Sequence, residues 1–483
     1  MLLIKQAQIV DGSGSKPFLG DILINGDKIS AIGKNISKKR AREVIDGLGL
    51  TAVPGFIDAN NDSDHHLSLF TNPGQEDFIK QGITTIIGGQ CGASLAPLIY
   101  GSLASIERWS ATGKTNVDWT SVADLKNVLK RMGLKINFET FAGYSTIRRD
   151  ITGGVEIRDL TAAELDIFAN ILKQAFNEGA IGVSTGLGFL DSKFTPFSEI
   201  KKMILLAAKR GKIYATHVHD EKIGLARSIE ETLAMAKETG IKTIISHFRP
   251  IKGFEKQFGE AMNLIERNLV DSNIYFDVNP FVDAIFPIHS YLPYWAQSES
   301  VETMLDNLKN SDKRKMIAKE LKTANLEELV VADARGQEAL IGKGLLELSQ
   351  NREKGAAQVL LDIMQSSKMN AMLMSKGVNQ ELLLPLLTHS RALIGTNSSS
   401  LTSPNSGREL QLERATSTFT KYLKTVSGLG VPVETAIKKI TSFPAQLFGL
   451  RGRGAIKEGY FADIVLLKNG EVKNVILNGQ NLF

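Results

Sequence analysis

The sequence predicts an α/β fold, a (β/α)8 TIM-like barrel with a small β-sandwich formed by both termini and a helical insertion. Three observations lead there. Eight apolar, strand-sized runs recur through the middle of the chain. Helical patterns lie between several of them. Short strands with turn punctuation occupy both ends.

The eight runs are 51-TAVPGFIDA, 83-ITTIIGG, 135-KINFETFAGY, 180-AIGVSTG, 212-KIYATHVH, 242-KTIISHF, 273-NIYFDVNP and 392-ALIGTNSS. Each is apolar enough to be buried on both faces, which favours a parallel barrel over an open sheet. The stretch 161-TAAELDIFANILKQAFNEG reads as a helix, with Thr161 as N-cap and Gly179 as stop, and 225-LARSIEETLAMAKETG reads as another. Residues 1–52 break into LLIKQAQIV, DILING, DKISAIG and REVIDG, divided by Gly, Asp and Asn. The far end, GYFADIVLLKNGEVKNVILNGQNLF, reads the same way, with hairpin signals in the Asn-Gly pairs at 469–470 and 478–479. The expected boundaries are 1–52 with 450–483 for the β-sandwich, 53–284 with 346–449 for the barrel, and 285–345 for a charged helical insertion over the barrel mouth.

Composition narrows the function. The chain has 483 residues, 43% hydrophobic and 23% charged, which describes a globular protein with ample core. The net charge of +5 is mild, and the longest basic run, 38-KKRAR-42, reads as a solvated turn, so no nucleic acid is expected. No apolar run reaches 18 residues, so no membrane helix is expected. The start, MLLIKQAQIVDGSG, reads as strand and turn rather than as a signal peptide. Cys91 is the single cysteine, which excludes an intrachain disulfide and points to a reducing, cytoplasmic location. The partner class left is a small-molecule substrate; oligomeric state stays open.

Parallel barrels keep their reactive groups at the C-terminal ends of the strands. Those ends carry Asn60 and Asp62, Cys91, Tyr144, Ser184 and Thr185, His217 and His219, His247, Asn279 and Asn397. Asn60 and Asp62 are two apart, so on a strand exit they share a face. The chain has only seven histidines, yet two stand at neighbouring strand exits and the sole cysteine at a third. Singly, such a cysteine reads as an inert buried thiol and such a histidine as a satisfied polar residue. Jointly, Cys91, His217 and His247 fit tetrahedral zinc with one position open. Other motifs fail. Gly113-Lys114-Thr115 lacks the earlier glycine of a phosphate loop, since Arg108 stands there, and no Gly-x-Ser-x-Gly elbow occurs.

The stretches VPGFIDANNDSD, GGQCGASLAPL, AIGVSTGLGF, YATHVHDE, IISHFRP, LIGTNSSS and SFPAQLFGLRGRGAIKEGYFADIVLL run in order across nearly the whole chain. Together they resemble the N-acyl-D-amino-acid deacylases (D-aminoacylases) of the amidohydrolase superfamily. The resemblance implies that Cys91, His217 and His247 hold a tightly bound zinc ion. It places Asn60 and Asp62 where the family keeps a His-x-His pair, and Asn397 where it keeps a catalytic aspartate. It implies that Arg249 and Arg408 grip the substrate α-carboxylate, a task that suits the bidentate guanidinium. A family tyrosine after the seventh strand has no counterpart in Asp277-Val278-Asn279-Pro280-Phe281.

The implied reaction is hydrolysis of the amide of an N-acyl amino acid or dipeptide-like substrate by a metal-activated water. Asn397 cannot accept a proton. Losing a general acid–base group costs ~10²–10⁴ in rate. Asp62 can stand in as oxygen ligand or base; Asp220 and Glu221 are further candidates that read more readily as exposed loop acids, and His65 and His66 read as loop residues. The alternative is a catalytically impaired homologue with a binding or structural role. A ring amidase is disfavoured, because Ser184-Thr185-Gly186 stands where a carboxylated lysine is needed.

Overall fold

Eight short parallel strands form the centre of the protein, and both of their faces are covered. The structure is a computed structural model that describes all residues except 108, 111, 113, 114, 155–157, 190, 191, 194, 298–300, 322–324, 335, 402–412 and 483. The strands are β1 (Phe56–Asp58), β2 (Ile83–Gly88), β3 (Asn137–Thr140), β4 (Gly182–Gly186), β5 (Ile213–His217), β6 (Lys242–Ile245), β7 (Ile274–Val278) and β8 (Ala392–Ile394). They fall in the eight apolar runs of the sequence. β1, β2 and β3 form one parallel sheet; β4 to β8 form another, which the short strand Ala142–Gly143 after β3 joins at its edge. At the far side the Ala59 N–H donates to the Ile394 carbonyl at 3.1 Å, and the Asn397 N–H to the Asn60 carbonyl at 2.8 Å. These bonds bring β8 beside the exit of β1.

The burial pattern explains the continuous apolar runs. Ile57, Ile87, Phe141, Ile181, Ile213, Ile244 and Leu393 gather in one inner cluster with the helix Ser442–Phe448, whose Ala445, Leu447 and Phe448 fill its base. The alternate residues, such as Ile86, Val183, Tyr214, Ile245 and Phe276, face outward into a larger core shared with Leu125, Phe168, Met203, Leu233 and Phe258 of the surrounding helices. With a period of two and both faces dry, most strand positions are apolar, and polar ones such as Thr85, Ser184 and Thr216 are fully buried.

The two chain ends build one unit. Thr51–Pro54 pairs with Leu2–Ile9 on one side and with Ile464–Lys468 on the other. The eight strands of this unit are hydrogen-bonded into a single sheet instead of two. The insertion differs from the all-helical segment expected over 285–345. It has its own core, running from Ile288 to Leu373, and a three-stranded antiparallel sheet of Ala284–Pro287, Ala371–Ser375 and Val330–Ala334. Its central strand, AMLMS, lies beyond the expected boundary and closes that core from a distance the local pattern does not report. The insertion and its flanks touch the loops after β4 and β6: Lys193 Nζ donates to Gln297 Oε1 at 3.2 Å, and the Asn379 N–H to the Pro250 carbonyl at 2.7 Å. Among the described residues no helix is long and apolar enough to cross a membrane.

Phe141 is fully buried and packs edge-on against Phe448 at 6.3 Å. Phe141→Ala should therefore destabilise the protein by about 3–5 kcal/mol. Denaturant unfolding followed by tryptophan fluorescence checks this. Ile223→Ser, at a residue 75% exposed, is the control expected to change stability by less than about 0.5 kcal/mol.

Candidate metal centre

The exits of β2, β5 and β6 bring Cys91, His217 and His247 together, with their ligand atoms all within 4.8 Å of one another. Cys91 Sγ lies 3.1 Å from His247 Nε2, and the two imidazole rings meet edge-on at 5.4 Å. Zinc–sulfur and zinc–nitrogen bonds at tetrahedral angles separate S and N by about 3.5 Å, so the cluster has the dimensions and the donor chemistry for such an ion.

Local backbone aims these groups. Cys91, His247 and Asn397 all adopt left-handed conformations, with φ of 55°, 56° and 46°. That region is uncommon for residues other than glycine and costs about 1–3 kcal/mol at each position, a pattern that clusters at functional sites. Two glycines clear the space. A Cβ on Gly186 would stand 2.2 Å from the Cys91 carbonyl oxygen, and one on Gly188 would stand 2.7 Å from His217 Nε2.

His247 is held neutral. Burial is the main cause, the neighbouring His217 adds to it, and its pKa falls to about 3. A neutral imidazole is the form that binds metals.

The exit of β1 holds a second polar group. Asn60 is fully buried; its Nδ2 donates to the two Asp277 oxygens at 3.2 and 3.1 Å and lies 3.3 Å from His247 Nδ1. Its Oδ1 has no hydrogen-bond partner among the described residues. Burial pushes Asp277 up to about 7, although Asn60 and the His247 N–H oppose it. Asp58 is likewise pushed up to about 7 by burial, against bonds from Thr396 Oγ1 at 2.6 Å, Asn61 Nδ2 at 2.7 Å and Thr396 N at 2.8 Å. Asp58 thus ties β1 to the loop after β8.

Asp62 faces the same mouth, but its partner was not legible. His65, read from sequence as a loop residue, is fully buried. Its Nδ1 lies 3.2 Å from Asp62 Oδ1 and its Nε2 3.1 Å from the Ala93 carbonyl, while its ring stacks on Trp109 at 4.1 Å. Burial opposes the Asp62 charge; the His65 hydrogen bond and charge, helped by His66 and His247, outweigh it and hold the carboxyl at about 2. Burial also opposes the charge on His65, yet Asp64 and Asp62 raise its pKa. A carboxylate this stable is a weak base, so Asp62 acts here chiefly as a fixed negative charge.

Glu221 also departs from expectation: it is largely buried, not an exposed loop acid, and it pairs with Arg249 Nη2 at 3.3 Å. Burial opposes its ionisation, but Arg249, His217 and His247 together lower its pKa. Arg249 also stacks over Phe286 of the insertion at 4.8 Å, and its Nε has no hydrogen-bond partner among the described residues. Arg408 lies outside the described residues.

A residue that sequence reasoning missed stands nearby. Arg414, at the start of the helix Glu413–Gly428, is buried with Nε and Nη1 lacking hydrogen-bond partners among the described residues. Burial lowers its pKa to about 10, and the charges of Asp62, Arg249 and Asp283 reach it. An arginine on the apolar face of a helix was the available signal.

Other strand-end residues bond within the fold. Tyr144 donates to Glu199, Thr185 bonds Thr216 at 2.9 Å, His219 meets Glu231 at 2.9 Å, and Asn279 Oδ1 accepts from the Phe281 N–H at 3.1 Å.

The Asp62–His65 pair yields a signed prediction. With its pKa near 2 against an ordinary 3.8, Asp62 contributes stability above pH 3.8 that is lost as pH falls toward 2. His65→Ala leaves that charge buried without its partner and should cost about 3–5 kcal/mol near pH 5. The gap from wild type should narrow as pH drops below about 4, as Asp62 takes up its proton. Unfolding midpoints measured across that pH range check it.

The chain is similar to known proteins along most of its length. Residues 299–482 match the amidohydrolase family. A D-aminoacylase of Alcaligenes xylosoxydans xylosoxydans is 27% identical over 96% of this chain and 87% of its own length. An N-acyl-D-aspartate deacylase of the same organism is 26% identical over 97% and 86%. The N-acyl-D-glutamate deacylase of Bordetella bronchiseptica, whose crystal structure holds zinc and a phosphonate inhibitor, superposes with a TM-score of 0.81 at 20% identity, covering 100% of this chain and 96% of that one. That likeness gives the chain a TIM-barrel-containing α/β fold. Residues 299–482 thus match an amidohydrolase-family model, and along nearly its whole length the chain is similar, at 27% identity, to a D-aminoacylase.

Proposed function

We propose that this chain is a metal-dependent amidohydrolase that cleaves the linear amide of an N-acyl amino acid or dipeptide-like substrate, with zinc as its metal. The observation that carries this reading is the convergence of Cys91, His217 and His247 within 4.8 Å. When bound, a divalent metal supplies Lewis acidity that polarises a carbonyl and acidifies water. The thiol ligand has to stay reduced, which suits a cytoplasmic location. The architecture that fits is a closed (β/α)8 barrel with the insertion over its mouth, and the Ala59–Ile394 and Asn397–Asn60 hydrogen bonds support it.

The chain's own groups divide the remaining work. Arg249 and Arg414 present guanidinium nitrogens that have no hydrogen-bond partner among the described residues, suited to two-point binding of a carboxylate. Arg408 joins them in the proposal as a third candidate. Asp62 supplies negative charge beside the cation site. Proton transfer is the weak step: Asn397 cannot accept a proton, Asp62 is a weak base, and Glu221 is engaged with Arg249.

That weakness favours a second reading, in which the protein binds such ligands without turning them over. One experiment separates the two. Zinc content is measured by elemental analysis, and N-acyl-D-amino acids are assayed with wild type and Asn397→Asp side by side. Bound zinc with slow turnover that rises ~10²–10⁴-fold in Asn397→Asp is expected. No zinc and no turnover in wild type would sink the enzyme reading, and zinc without turnover in either protein favours the binding role. Cys91→Ser should lower zinc occupancy. Arg414→Ala should raise KM about 10–100-fold with a much smaller change in kcat, as expected when a charged hydrogen bond to the ground state is lost.

A further inference from the structure

Arg414 is 7% exposed, and its Nε and Nη1 have no hydrogen-bond partner among the described residues. No bond to those atoms fixes the guanidinium, so its placement follows the helix that carries it, Glu413–Gly428. Side chains lean toward the N-terminal end of a helix. A small shift or rotation of the first turns is therefore carried out to the tip of a long side chain such as this one.

Gln81 holds those turns. It stands two residues before β2 and is 1% exposed. Its Nε2 donates to the Ala415 carbonyl at 2.6 Å, and its Oε1 accepts from the Phe419 N–H at 3.3 Å. Residues four apart are the ones whose carbonyl and N–H a helical turn pairs with each other. One side-chain amide meets both groups, which sets the height of the turn and its rotation together. The second Nε2 hydrogen goes to the Asp77 carbonyl at 3.2 Å. Two carbonyls at one end and an N–H at the other fix which way the amide points. The Asp77 carboxylate in turn accepts from the Leu401 N–H at 2.8 Å and from Ser400 Oγ. The short segment from Asp77 to Gln81 thus fastens the chain twice, at Leu401 after β8 and at Ala415 beside Arg414. Stacking of Phe419 on Phe56 at 5.8 Å seats the same turn against β1.

We propose that Gln81 is a positioning residue for Arg414, holding its guanidinium where a substrate carboxylate is met. The proposal rests on the reading of Arg414 as a carboxylate ligand. Gln81 acts through the Ala415 carbonyl, one residue along the chain from Arg414. A residue that served stability alone would weaken the fold without changing which ligands the mouth prefers.

The test compares two ligands on the full chain by isothermal titration calorimetry. One is N-methylsulfonyl-D-leucine, whose sulfonamide resists amide hydrolysis; the other is its carboxamide, of the same size but without the charge. Wild type should bind the acid ~10–100-fold more tightly than the carboxamide, and Arg414→Ala should lose most of that preference. Gln81→Met keeps the length and bulk of the side chain but neither bond. It should lose ~5–10-fold of the preference while carboxamide binding changes less than ~2-fold. The double variant should discriminate no worse than Arg414→Ala alone, because the two residues act through one contact. Gln81→Glu, which turns an oxygen toward the Ala415 and Asp77 carbonyls, should behave like Gln81→Met and carries the test if that variant does not fold. A preference lost in Arg414→Ala but kept in the Gln81 variants, or acid and carboxamide weakened alike by them, overturns the positioning role and leaves the carboxylate reading standing. Equal preference in wild type and Arg414→Ala, or no binding of either ligand by wild type, sinks the carboxylate reading and this proposal with it.

Discussion

Burial of both faces of the eight parallel strands is the constraint on which the rest of the structure depends. The inner faces close on one another and on Phe448; the outer faces close on the helices. Apolar side chains dominate such strands, the polar ones within them, such as Thr85 and Ser184, are buried, and the three candidate metal ligands stand at strand ends. The mouth therefore gathers Asn60, Asp62, Cys91, His217, His247 and Asn397 from the ends of different strands. The site is where the fold has room for chemistry, and the left-handed residues there are tolerated because the packed strands beneath hold them.

The electrostatics of that mouth have the same origin in burial. Asp58 and Asp277 meet uncharged donors, and burial raises both. Asp62 has a histidine and Glu221 an arginine, and both are lowered despite burial. A facing cation outweighs burial at Asp62 and Glu221, whereas at Asp64 burial prevails even beside His65. Asn60 sits among these groups as an uncharged amide that satisfies Asp277 without neutralising it.

Much of the fold was legible because its signals are local. An apolar run of strand length, a capping threonine or an Asn-Gly turn is read from adjacent residues. Thr161 caps its helix with the Glu164 capping box, as the sequence indicated. The extent of the insertion was not legible, because AMLMS pairs with strands about forty and about ninety residues earlier in the chain and has no helical or hairpin signature. His65 looked like a loop residue because nothing in DSDHHL says that the turn folds inward onto Ala93 and Trp109. Glu221 looked exposed because its partner, Arg249, stands after a different strand.

By itself the sequence determined which residue types stand at the strand exits, since apolar periodicity marks where each strand stops and which residues come next. That sufficed to pick out Cys91, His217 and His247 before any contact was known. The tertiary structure alone decided what those exits face. The Asn60–Asp277 bond joins residues 217 positions apart, and the Asp58–Thr396 bond joins residues 338 apart. Hydrogen-bond direction, buried charge and the empty side of an amide are properties of such long-range meetings. They arise only when the strands are packed, and no window of neighbouring residues contains them.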